Sequence, residues 1–206
     1  MAIIAVAGLA WFSILESASV SAASSTVTST TTGIGNAVEI TYPVEVTLTA
    51  ELTLTCDTAT STMLNDIAGI TGGVASSSRS CLVKTNNTLG WTMTTHASDT
   101  PALVHTASST INFPDADATP ASWLSPAANT SKFGFNASGS YADAAFSGNL
   151  YRGFNGTTPI TVASSNTATD ANGIYTAMNF KAEVGNAASQ TTGLYRAWVT
   201  ITAYMN

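Results

Sequence analysis

Two cysteines, Cys56 and Cys81, carry the clearest chemistry in this chain, because each borders a run in which apolar and polar side chains alternate. An even count in a Thr-rich, charge-poor chain reads as one disulfide, and two buried free thiols are the other reading of the same pair. A bridge closing a loop of about 25 residues would contribute about 3.5 kcal/mol on the chain-entropy model. The remaining candidates point away from catalysis. His96 and His105 stand in a proline-rich region with neither a cysteine nor a Gly-x-Ser-x-Gly turn nearby, so they are expected to be surface side chains. Asp115 and Asp117 are spaced like calcium-loop oxygen ligands, but the glycine and closing glutamate of such a loop are missing and a solvated turn is expected. No Cys-x-x-Cys or Cys/His cluster suits zinc. No catalytic residue, cofactor or metal ion is expected, and the chain does not read as an enzyme. Trp91, Trp123, Trp198, Phe133 and Phe135 have the flat surfaces that stack on sugars, although core and sheet packing is their commoner use. Four Asn-x-Ser/Thr triplets, at Asn86, Asn129, Asn136 and Asn155, are candidate glycosylation acceptors, all in segments that read as loops or turns.

The elements around these residues are strands. Residues 44–55 alternate strictly, with Val44, Val46, Leu48, Ala50, Leu52 and Leu54 on one face and Glu or Thr on the other, and Cys56 continues the apolar face. This predicts a long half-buried strand, unbroken or divided at Ala50. The alternation resumes at Cys81, Val83 and Thr85, then Asn86-Asn87 reads as a turn into a strand carrying Trp91 and Met93. Residues 96–131 hold four prolines, and only Ile111-Asn112-Phe113 suggests a strand there. Phe133-Gly134-Phe135 is short and strand-like, and the Asn155-Gly156 turn separates two further strands. Met178, Phe180, Ala182 and Val184 alternate again, as do Tyr195, Ala197, Val199, Ile201, Ala203 and Met205 at the end. Eight to ten short strands with frequent turns predict an antiparallel β-sandwich of immunoglobulin-like size, with a closed barrel as the alternative.

Only 9% of the 206 residues are charged, so the polar surface must be built from Thr, Ser, Asn and Gly. Typical soluble proteins carry about 25%. The formal net charge is -6 and the six basic residues are scattered, which excludes nucleic-acid binding and attraction to an anionic membrane surface.

Residues 1–15 carry no charge, and apolar or small side chains occupy every angular position of a helix, so that helix needs an apolar environment on all sides. At ~1.5 Å per residue it would measure about 22 Å, short of the ~30 Å hydrocarbon core unless residues 17–23 extend it. A secretory signal or a plain membrane anchor should carry flanking basic residues, and the first one in this chain is Arg79. A third reading is a mature N-terminus from which a basic leader has been cut just before Met1. Residues 24–35 then form a Ser/Thr/Gly linker, and residues 36–206 the β-domain.

An apolar N-terminal helix of this kind, followed by a linker and a β-domain, resembles the type IV pilin class in architecture. In that class the helix waits in the membrane and then packs against copies of itself in a filament core. The resemblance makes Ile3, Ile4, Val6, Leu9, Trp11, Phe12, Ile14 and Leu15 the polymerisation surface. Position 5 is Ala5 where many bacterial pilins have Glu, and the nearest acid is Glu16, so the usual salt link to a neighbour's N-terminal amine is not available. The runs LTLTCDTAT, RSCLVKTNNTLGWTMT, MNFKAEVG and GLYRAWVTITA resemble a β-rich domain of surface proteins from candidate-phyla bacteria with reduced genomes. That resemblance implies an extracellular, disulfide-bonded domain and supplies no catalytic residues. The expectation is therefore a pilin-like structural subunit of a cell-surface filament for adhesion or attachment. Its partners would be other copies of itself, the membrane before assembly, and a surface receptor of unspecified kind. The alternatives are a membrane-anchored monomeric binding module and a filament subunit assembled by donated strands.

Overall fold

A computed structural model describes residues 43–57 and 60–206. The predicted helix, residues 1–23 with its polymerisation surface, and the linker 24–35 lie outside the described residues. Leu48–Asn206 forms one compact unit.

The described residues are mainly β. They form twelve strands: β1 (Leu52–Cys56), β2 (Gly73–Thr85), β3 (Trp91–Ala97), β4 (Leu103–His105), β5 (Ser108–Phe113), β6 (Ala121–Ser122), β7 (Ser131–Ser138), β8 (Leu150–Tyr151), β9 (Ile160–Ser165), β10 (Ile174–Val184), β11 (Tyr195–Arg196) and β12 (Val199–Met205). A first antiparallel sheet has the order β1-β2-β10-β7, and a second has the order β12-β3-β9. Smaller sheets, β11-β4-β5 and β6-β8, complete the set. Fully buried side chains from the first sheet, Val83, Phe135 and Met178, share one core cluster with Trp91, Met93 and Val162 of the second. Period-two alternation is what permits this, since every second residue of each strand faces the opposite sheet.

Four sequence expectations change. Residues 44–51 alternate like a strand, yet only Leu52–Cys56 is one. The ladder stops because β2 stops: Leu52 pairs with Thr85, and β2 then turns through Asn87–Gly90. Conversely, the serine run Ser76-Ser77-Ser78 belongs to the thirteen-residue β2. It lacks an apolar alternation of its own, and β10 supplies the volume by placing Phe180 opposite Ser77 and Met178 opposite Arg79. The C-terminal run is divided between sheets, with Tyr195-Arg196 pairing β4 and Val199–Met205 pairing β3. The middle of the chain holds β4 and β6 as well as β5, and β7 extends well beyond Phe133-Gly134-Phe135. Gly134 is required there, because an added Cβ would collide with the Arg152 carbonyl and the Ala116 methyl of the segments crossing over β7.

Candidate functional site

The two cysteines are directly opposed in the β1–β2 register and form a disulfide, with the Cys81 side fully buried. The bridge therefore ties an edge strand of five residues to β2, which is itself paired to β10 along eleven positions from Ile174–Val83 to Val184–Gly73. The backbone ahead of β1 is held by two side chains at the end of β2, and the first is Thr85, whose hydroxyl donates to the Glu51 carbonyl (2.5 Å). Asn86 accepts from the Glu51 N–H through Oδ1 (2.7 Å) and donates from Nδ2 to the Thr49 carbonyl (2.9 Å).

The candidate acceptor asparagines separate by environment. Asn129 and Asn155 are exposed. Asn86 is exposed too, but its amide is occupied as just described. Asn136 is not in a loop: it lies inside β7, is 1% exposed, and donates from Nδ2 to the Leu150 carbonyl (2.6 Å) while its Oδ1 accepts from Asn179 (3.1 Å). Asn179 accepts from the Ser78 hydroxyl in turn (2.8 Å), so Ser78, Asn179 and Asn136 form a hydrogen-bonded row across β2, β10 and β7. A cleft of about 630 Å³ opens beside this row, lined also by Ser138, Asp143 and Tyr151. Its amides are engaged with one another, so the cleft's order is internal and a ligand would have to compete with it. The sequence motif could not reveal this, because a triplet is local and burial is tertiary.

Both histidines sit in strands rather than in loops, half-buried, His96 on β3 and His105 on β4. Nδ1 of His105 accepts the Ala107 N–H (3.0 Å), which makes Nε2 the donor to the Thr192 carbonyl (3.2 Å), and the ring meets Tyr195 edge-on at 5.0 Å. The ring thus ties the end of β4 to residues 192–195. Among the aromatics, Trp91, Phe133 and Phe135 are core residues, whereas Trp198 is 61% exposed. Trp123 packs on the outer face of the first sheet, its Nε1 donating to Glu183 (2.6 Å) and its ring faced by Lys132 and Lys181 at 4.4 and 4.9 Å. The lysines cover the indole surface that a sugar would need.

Asp115 is no solvated turn. Both of its carboxylate oxygens accept the Ala102 N–H at 3.2 Å, and the neighbouring strand passage bonds Ala116 and Phe133. Burial pushes the Asp115 carboxyl up to about 6, against the smaller lowering effect of the Ala102 hydrogen bond. A carboxyl raised in the folded state contributes stability that is fully present below its ordinary value of 3.8 and lost as pH rises through about 6. Relative to Asp115→Asn, which keeps an acceptor for Ala102, the parent should lose thermal stability across that window and run parallel above it. Midpoints measured from pH 3.5 to 7.5 check this, and parallel profiles throughout would refute it.

Among the described residues no three His, Cys, Asp or Glu side chains converge as metal ligands, and no helix is long and apolar enough to cross a membrane. Compared with known proteins, the chain matches no family model, no curated protein and no solved structure.

Proposed function

We propose that the chain is a structural subunit of an extracellular surface filament, an immunoglobulin-sized β-sandwich carried on an apolar N-terminal helix through which it polymerises. The observation that carries this reading is residues 1–15, uncharged on every helical face, in one chain with a disulfide-stapled β-domain. Such a helix gains about 25 cal/mol for each Å² removed from water, and copies of itself are the partners a filament core supplies. Ala2, Ala5, Ala7, Gly8 and Ala10 allow close approach beside Ile3, Ile4, Leu9, Trp11 and Phe12. The disulfide suits an oxidising compartment, and the Ser/Thr-rich, charge-poor composition suits a surface exposed outside the cell.

Electron microscopy of material sheared from cells tests it. The parent should give filaments that persist in moderate salt, since an apolar contact is not screened. Ile4→Asp places a carboxylate in the core at a cost of several kcal/mol per subunit. The variant should be made, keep its disulfide and give no filaments. Assembly equal to the parent's, or a parent found only in lipid and never as filaments, would overturn the reading, the latter in favour of a membrane-anchored module.

A further inference from the structure

The first sheet ends at β1 and the second at β12, and these two edge strands run beside each other. On this side the core is less covered. Leu54 and Ala203 are half-buried, while the residues paired with them one strand further in, Val83 and Met93, are fully buried. Val199 and Ile201 are half-buried as well.

The backbone of β12 is free on its outer side among the described residues. The Trp198 carbonyl accepts from Ser98, the Thr200 carbonyl from the Thr95 hydroxyl, and the Asn206 N–H donates to the Gly90 carbonyl, so the even-numbered residues address the β3 side. Antiparallel alternation then turns the N–H and C=O groups of Val199, Ile201, Ala203 and Met205 outward. The strand reads Val-Thr-Ile-Thr-Ala-Tyr-Met, without the charge, proline or bulge by which sheet edges refuse a further strand. The opposite edges of these two sheets are covered: β7 is bridged by Asp115 and Arg152, and β9 by Ala142.

The same chain carries a strand without a sheet. Residues 44–48, Val-Glu-Val-Thr-Leu, belong to no strand, and Val44, Val46 and Leu48 are 89%, 85% and 84% exposed. We propose that residues 44–48 of one copy add as a strand to the β12 edge of a second copy. The phase fits, because three apolar side chains would cover Val199, Ile201 and Ala203 while Glu45 and Thr47 face water with Thr200 and Thr202. Thr49 and Glu51, which lead from the segment into β1, are held by Asn86. Each copy offers one donor and one acceptor, so the contact is heterologous and propagates as an open chain. This inference rests on the self-assembly proposed above and adds a second contact to it.

The test replaces Val46 in the full chain with a photoreactive benzoylphenylalanine and mixes ¹⁴N and ¹⁵N subunits in equal amounts before assembly. Irradiation should join position 46 to residues 199–205 in mixed-isotope peptides. Same-isotope links alone, or filaments with no link to β12, overturn the strand contact and leave the helix reading standing. Links in material that forms no filaments uphold the strand contact and remove the helix reading, and the absence of both removes both. Ile201→Pro eliminates an outward N–H and should abolish the link with Cys56–Cys81 intact. If that variant does not fold, Val44→Pro with Leu48→Pro, in the exposed segment, should abolish it instead. Persistence of the link in a folded variant refutes the proposal.

Discussion

Phe135→Ala should destabilise the β-domain by about 3–5 kcal/mol, the range for removing a fully buried phenylalanine. Phe135 is 0% exposed, and its ring lies 4.4 Å from Phe154 and 5.6 Å from Phe146, centroid to centroid. Those rings belong to different segments, and β7 is fixed on both sides, by β10 and by the exchange of backbone hydrogen bonds between Phe135 and Arg152. The cavity therefore cannot close by a local shift. Against a total stability of about 5–15 kcal/mol, a loss of this size removes a large share of it. Denaturant titration under non-reducing conditions measures it, with Trp198→Ala as the control, since that indole is 61% exposed. The control should change stability by about 0.5 kcal/mol or less. A Phe135→Ala cost below about 1 kcal/mol would show that the core is not organised around these rings.

Replacing both cysteines by alanine should cost about 3.5 kcal/mol, most of it by releasing the unfolded chain from a closed loop. The loop spans 25 residues of sequence. Because β1 lies at a sheet edge and pairs with β2 alone in the first sheet, it depends on the bridge more than the inner strands do. Hydrogen exchange should therefore accelerate first at Leu52 to Cys56 in the double variant, with β10 protected as before. An unchanged midpoint, or exchange that rises equally in β10, would count against this account.

The strands with inward apolar alternation are legible in the sequence. Met178, Phe180, Ala182 and Val184 predict β10, and Val199, Ile201 and Ala203 predict β12, because one buried face imposes period two. The same rule overreaches at Val44, Val46 and Leu48. Alternation says that a segment suits a sheet, and says nothing about whether a partner strand is there. It fails in the other direction at Ser76 to Ser78, where the bulky side chains of β10 make the local pattern unnecessary. Nor does it mark Ala197-Trp198 as the place where the chain leaves one sheet for another. The disulfide was legible, because an even cysteine count and two strand contexts are both local facts. Asn136 was not, because its hydrogen bonds come from Leu150 and Asn179, distant in sequence. The carboxyl of Asp115 was misread for the same reason, its partner being the backbone at Ala102.

The placement of the Cys56–Cys81 bridge also sets what happens when the chain is pulled. Tension applied ahead of Leu52 reaches the β-domain through β1, and its five residues can be unzipped from the Thr85 end as far as Cys56. There the load crosses the sulfur atoms to Cys81 and passes into β2, which lies between β1 and β10. The segment that joins β1 to β2 is bypassed by the bridge and is not drawn out. The domain thus gives a short, bounded extension and then stiffens.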